Sequence, residues 1–173
     1  PIPGGRGSRA APGFNFAGVC GEQNFKCVIS YVIWGDHPKY MTGAIRNAML
    51  AKDVYPGWIP RFYFDEATVP KPIQEQLEKL GAELIPISKM KGVSGMVTRF
   101  LVGEDDTVDR YIVRDVDSRL NLREKAAVDE WIQSGYSIHV LRDHPNHRRE
   151  MNGGMWGGVK GAAGNLTEIM HSI

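Results

Sequence analysis

Two aspartates spaced as Asp115-Val-Asp117, a glycine-rich run from Asn152 to Gly158, and the pair Asp143-His144 are the residues of this chain best suited to chemistry. On an extended backbone, carboxylates two residues apart point to one side and can converge on one hard cation. Mg2+ or Mn2+ suits such a pair, because one or two carboxylates commonly hold these ions while waters and phosphate oxygens complete the shell. The competing reading is a solvated turn in which Asp115 and Asp117 pair with Arg114 and Arg119. In the run Asn152-Gly-Gly-Met-Trp-Gly-Gly158, glycine lets backbone approach a ligand closely, and Trp156 offers a face of the kind that packs on a sugar ring. Here the competing reading is a flexible loop with one buried tryptophan. The run is not a P-loop: Gly153 and Gly158 have the right separation, but Val159 stands where lysine is required, and no Ser or Thr follows Lys160. Nor is it a dinucleotide fingerprint, since it does not follow the first strand of a βαβ unit.

His139, His144 and His147 invite a zinc reading, but spacings of five and three match neither H-E-x-x-H nor a C2H2 finger. His139 alternates within a strand pattern and reads as a core or wall residue. Asp143 and His144, just past that strand, are candidates for positioning an acceptor hydroxyl or acting as base. Cys20 and Cys27 are seven apart, a spacing that fits neither a zinc knuckle nor the disulfide framework of a small secreted domain. Two reduced or buried thiols are expected ahead of a single bridge, and that cysteine usage favours a cytoplasmic place.

These groups need elements to position them. From residue 25 the chain alternates β-rich runs with helical periods, the pattern of βα units on a mainly parallel sheet. Strands are expected at residues 25–34, 59–64, 83–87, 109–116 and 137–141. Helices are expected at about 39–53, with Met41, Ile45, Ala48 and Met49 as the buried stripe, and at 70–80, where Ile73, Leu77 and Leu80 form it. A loop with Gly92 and Gly95 leads to a short helix near 96–101. A capping pattern at Asn121-Leu-Arg-Glu124 opens a helix that Gly135 closes, and Asn165-Leu-Thr-Glu168 opens another. Ligands of such sheets gather beyond the carboxyl ends of the strands. Gly35-Asp36-His37, Asp115-Val116-Asp117 and Arg142-Asp143-His144 all fall there.

With 173 residues, 21 Lys plus Arg against 20 Asp plus Glu, and 42% hydrophobic residues, the chain has the makings of one globular domain. A net charge of +1 without runs of like charge lacks the footprint of a nucleic-acid binder or a polybasic anchor. No apolar stretch approaches the ~20 residues of a membrane span. Residues 1–13 are rich in Pro, Gly and Arg and read as an extended arm outside the core. The division expected is an arm or linker over 1–24 and one domain over 25–173. Starting at Pro1 rather than Met, the chain reads as processed or cut from something longer.

The order of these features brings a family into view. Residues 27–173, with RDVDSRL (114–120), RDHP (142–145) and NGGMWGG (152–158), resemble a glycosyltransferase domain of the nucleotide-diphospho-sugar transferase superfamily, the GT-A fold. The D-x-D followed by a glycine-aromatic-glycine segment is similar to the layout of families that carry MGGFFGG-like sequences. The resemblance implies a Rossmann-like α/β fold and a divalent ion, Mn2+ or Mg2+, on Asp115 and Asp117. It also implies a nucleotide-diphosphate sugar donor and an acceptor hydroxyl on a saccharide or another compound. Asp115, with Asp117, matches the metal and sugar-nucleotide motif. Gly153, Gly154, Met155, Trp156, Gly157 and Gly158 match the segment lining the sugar or acceptor pocket, and Trp34 and Gly35 match the nucleotide-binding edge. Arg99, Arg114 and Arg119 are candidates for the diphosphate, or partners of the D-x-D and of Glu104-Asp105-Asp106. Asp143 is the candidate base of an inverting reaction. Some families of this fold take a further ligand from beyond the glycine segment, where this chain has His171. Two rival readings are a non-catalytic sugar-nucleotide or glycan-binding module of the same fold, and a sugar-nucleotide nucleotidyltransferase. The latter usually has a glycine-rich stretch after its first strand, and Gly35-Asp36-His37-Pro38 is not one.

Overall fold

The computed structural model describes residues 9–89, 95–145 and 151–171; Gly92, His147, the first eight residues of the arm and the His171 side chain fall outside what it describes. Its strands are β1 (Cys27–Ile33), β2 (Trp58–Phe64), β3 (Glu83–Pro86), β4 (Arg110–Arg114), β5 (Ile138–Val140) and β6 (Met155–Val159). The helices are α1 (Pro38–Val54), α2 (Lys71–Lys79), α3 (Leu122–Ser134) and α4 (Leu166–His171), with a stretch of 3-10 helix over Gly95–Glu104. All six strands form one sheet in the order β3-β2-β1-β4-β6-β5. β1 to β4 are parallel, β6 runs antiparallel to β4, and β5 runs antiparallel to β6, so only β6 opposes the common direction. The architecture is α/β and Rossmann-like, helices packed on a mostly parallel sheet.

β1 shows why. All seven of its residues are buried, as expected of a strand covered on both faces. Its alternation sorts them: Cys27, Ile29, Tyr31 and Ile33 enter the core shared with α1, α2 and α3, while Val28 and Val32 enter a second core with Val102, Tyr111 and Trp156. In β4, Ile112 joins the first core, and Tyr111 and Val113 join the second.

α1 buries Met41, Gly43, Ala44, Asn47, Ala48 and Ala51. The expected stripe is therefore right at Met41 and Ala48 and wrong at Met49, which is 47% exposed. The seat of α1 is made of small residues, which bring its axis close to the sheet. Asn121 caps α3 as expected, its side chain accepting from the Glu124 N–H at 3.0 Å, and Gly135 ends the helix with φ 71°.

Three expectations are corrected. The glycine-rich run is not a loop over most of its length, because its second half is β6, buried at every position between β4 and β5. Cys20 and Cys27 form a disulfide rather than two thiols. Disulfides persist in oxidising compartments, so the cytoplasmic reading loses its premise. The arm is docked from Ala10 onward: Ala10 and Phe14 pack on the first core, Ala11 N–H donates to the Lys160 carbonyl at 2.8 Å, and Arg110 donates to the Phe16 and Gly18 carbonyls. Among the described residues, no helix is long and apolar enough to cross a membrane.

Candidate functional site

β1 and β4 are neighbouring parallel strands, so the segments that follow them emerge side by side at one edge of the sheet. After β1 come Trp34, 46% exposed, and Gly35, whose φ of 69° favours glycine and whose N–H donates to Thr68 Oγ1 at 2.8 Å. His37 then caps α1, its Nδ1 accepting from the Lys39 N–H at 3.2 Å. After β4 the chain turns at once, with the Ser118 N–H donating to the Asp115 carbonyl at 3.2 Å. The D-x-D thus lies in a turn and not on an extended strand end, and each carboxylate has its own cation. Asp115 Oδ1 accepts from Arg99 Nη1 at 2.5 Å, and Asp117 Oδ2 accepts from Lys39 Nζ at 2.7 Å. Neither pairs with Arg114 or Arg119 as the solvated-turn reading has it, although the Arg119 charge adds to the pull on Asp117. The Lys39 hydrogen bond holds the Asp117 carboxyl below its ordinary value and raises that of Lys39 in turn.

Two residues of α1, one turn apart, seat this turn. A Cβ on Gly43 would stand 2.2 Å from the Val116 carbonyl oxygen, so only glycine lets helix and turn meet. Asn47, fully buried, donates to the Val116 and Ser118 carbonyls at 3.1 and 2.8 Å and accepts from the Leu120 N–H at 3.1 Å. Asn47→Ala is expected to lower stability by about 2 kcal/mol, because the Ser118 carbonyl and the Leu120 N–H lose their side-chain partner and the Val116 carbonyl keeps only Arg119. Urea denaturation checks this, and an unchanged midpoint would show that the turn holds itself.

From the other side, β6 closes on the turn. Its register sets Met155 opposite Arg114 and Trp156 opposite Val113, which brings Gly154 against Asp115. A Cβ at Gly154 would lie 2.1 Å from Asp115 Oδ2, and one at Gly153 would lie 3.4 Å from Arg99 Nη2. The expected glycines and the D-x-D therefore do meet. Arg99 joins them from the 3-10 stretch; it is 6% exposed and also donates to the Arg114 carbonyl at 3.0 Å.

Other expected members lie elsewhere. Arg114 points to the opposite face of β4, where it is 2% exposed and pairs with Glu124 of α3 at 3.2 Å, so it is not a donor-binding residue of this edge. Trp156 is 2% exposed, edge-on to Phe100 and Tyr111, and serves as core rather than as an open sugar platform. Asp143 follows β5, its carboxylate 3.2 Å from Arg123 Nη1. His139 is a core residue as expected, stacked on Trp131, and burial pushes its imidazole down to about 4.

The donor set fits a divalent ion of the Mg2+ or Mn2+ kind only as a two-carboxylate site that phosphate and water complete, since no group of three or more His, Cys, Asp or Glu gathers among the described residues. Open oxygens are present for that: the Asp115 side chain is 46% exposed and that of Asp117 34%. One groove runs along the outer side of α1, by Arg46 and Met49, and reaches Arg119 just past the D-x-D turn, and another lies beside the disulfide. No family model and no curated protein matches the chain.

Gly43, Asn47 and Lys39 escaped sequence reasoning. A glycine and an asparagine inside a helix are the signal that was there: each costs helix propensity and so asks for a packing reason.

Proposed function

We propose that this chain is a metal-dependent glycosyltransferase domain of the GT-A type, which binds a nucleotide-diphosphate sugar and transfers the sugar to an acceptor hydroxyl. The observation that carries the reading is the β4–β6 register, which presses Gly154 onto the Asp115 carboxylate beside the D-x-D turn. Two part-exposed carboxylates, one of them seated on Gly154, thus stand at the carboxyl edge of a mostly parallel sheet, where ligands of such sheets gather. Mn2+ or Mg2+ held by Asp115 and Asp117 would supply charge compensation to the leaving diphosphate.

The chain's own residues have distinct parts. Arg99 fixes the Asp115 carboxylate through Oδ1, which leaves Oδ2 toward Gly154. Gly154 seats the Asp115 carboxylate, and Gly153 lies against Arg99 and Phe100. Asp143, held by Arg123, is the candidate base, its carboxylate accepting the proton of the acceptor hydroxyl in an inverting transfer. The strands leading to Asp115 and Asp143 are two spacings apart, about 10 Å, with β6 between them.

The test is thermal unfolding with UDP-, GDP-, CMP- and dTDP-sugars, with and without Mn2+, on the native chain and on Asp115→Asn and Asp117→Asn. A donor at about 100 times its Kd adds roughly 2.7 kcal/mol, an upward Tm shift of roughly 5–10 °C for a domain of this size. The expected result is stabilisation by one nucleotide class that needs Mn2+ and both aspartates. Absence of any shift, or a shift that survives both substitutions, would sink the reading. Donor binding without turnover on any acceptor, in the native chain as in Asp143→Asn, would instead mark a binding module.

A further inference from the structure

Arg99 is engaged on one side only. Its Nη1 donates to the Asp115 carboxylate and to the Arg114 carbonyl, whereas Nε and Nη2 have no acceptor among the described residues. Those two nitrogens form one edge of the planar guanidinium, and a buried donor without an acceptor is destabilising. Nε is enclosed; Nη2, unbonded but not enclosed, carries the exposure that remains to a side chain 93% buried. It surfaces at Gly153, which is exposed: a Cβ built there would have only Arg99 Nη2, at 3.4 Å, and Phe100 Cζ, at 3.5 Å, within 4 Å beyond its chain neighbours. The preceding residue, Asn152, closes the turn by accepting from the Met155 N–H at 3.0 Å, and its side-chain Nδ2 is a further enclosed donor without a partner. Unmatched donors beside an exposed glycine ask for a ligand rich in acceptors.

We propose that Arg99 and the turn at Asn152 and Gly153 form an oxyanion site, which takes a phosphate group at Nη2 while Asp115 keeps Nη1. A guanidinium binds two oxyanions readily when each takes a different nitrogen, since its donors are fixed in a fork. Phosphate suits the place better than a carboxylate, because it has oxygens for Nη2 and for the Asn152 amide together and keeps others for solvent. The glycosyltransferase reading enters only through the source of that phosphate, the donor being one source and a free or otherwise attached phosphate the other. The charge-assisted bond to Arg99 needs no metal ion. Removing the Asp115 carboxylate takes a like charge from beside the phosphate, so it favours this site even though it removes half of the D-x-D.

The test is calorimetry with inorganic pyrophosphate on the full chain, first in EDTA and then with Mn2+, for the native chain, Arg99→Lys, Gly153→Leu and Asp115→Asn, each checked for folding by circular dichroism. Metal-free binding is expected to weaken about tenfold in Arg99→Lys, which keeps a charge for Asp115 but loses Nη2. A similar loss is expected in Gly153→Leu, whose side chain covers Nη2 at a position that does not use a positive φ and leaves Arg99 in place. Asp115→Asn is expected to bind at least as tightly as the native chain. No metal-free binding by the native chain, or equal binding by the native chain and Gly153→Leu, would overturn the site. Binding that needs Mn2+ and is lost in Asp115→Asn would overturn it as well and leave the metal reading of the D-x-D standing. UDP, GDP, CMP and dTDP as competitors identify the source: displacement by one of them assigns the site to the donor, and pyrophosphate that none of them displaces assigns it to another phosphate, both supporting the oxyanion site.

Discussion

Arg114→Met is expected to destabilise the chain by about 3–5 kcal/mol, the usual cost of leaving one member of a buried ion pair behind. Arg114 is 2% exposed, and its Nε donates to Glu124 at 3.2 Å, while its Nη1 reaches the Val113 carbonyl at 2.9 Å. Glu124 is 9% exposed and, among the described residues, would keep only the Asn121 amide at 3.0 Å as a donor to its carboxylate. Tyr31, Tyr55 and His139 also lie near Arg114 and bring no positive charge at neutral pH, while the Arg119 charge reaches this group only through its effect on Tyr31. The prediction separates two effects. If the loss comes from the stranded carboxylate rather than from misfit, Arg114→Met with Glu124→Leu should recover most of it. Urea denaturation of both variants decides: a double variant no more stable than the single one would mean that Arg114 acts through its packing and its carbonyl contacts.

Gly157→Ala is expected to cost about 3 kcal/mol and to remove donor binding with it. The added Cβ would stand 2.5 Å from the Tyr111 carbonyl oxygen, 2.9 Å from Ile112 Cγ2 and 3.2 Å from Ile112 Cα. Two of those atoms are backbone in the centre of the sheet, where Gly157 pairs with Ile112 on one side and with His139 on the other. Neither strand can recede without opening the ladder that holds Gly154 on Asp115. Gly153→Ala is the control, because its Cβ would meet side-chain atoms of Arg99 and Phe100 at 3.4 and 3.5 Å, ordinary contact distances. It should stay within about 1 kcal/mol of the native chain. Equal losses at the two positions would show that the glycines matter for chain flexibility and not for close approach.

What the sequence made legible follows from how strongly each feature depends on local pattern. The apolar run of β1, the period of α2 and the Asn121 cap each answer to rules of neighbouring residues, and they form within a residue or two of their expected places. β6 was not legible, since Gly157 and Gly158 are poor strand formers and earn their place only through Tyr111 and Ile112 across the ladder. The D-x-D was found, but its geometry was not: a turn replaces the extended segment because Asn47, about 70 residues earlier in the chain, gathers its carbonyls. The face of Arg114 was within reach. Adjacent residues of a strand point to opposite sides, so Arg114 and Asp115 could not both line one edge of the sheet from the same face. Pairings such as Cys20 with Cys27 depend on how the docked arm meets β1, which spacing alone does not encode.

The reversed direction of β6 also governs when the molecule can finish folding. β5 meets the rest of the sheet only through β6, although it precedes β6 in the chain. Until residues 155–159 leave the ribosome, β4 presents an open, apolar hydrogen-bonding edge, and β5 has nowhere to dock. β1, α1, β2, α2, β3 and β4 can assemble beforehand and seat the D-x-D turn on Gly43 and Asn47. The glycines that complete the site arrive last, as a strand slipped between two waiting partners. A nascent chain halted before Met155 would therefore display its acidic turn beside an unguarded strand edge, the state in which chaperones have most to protect.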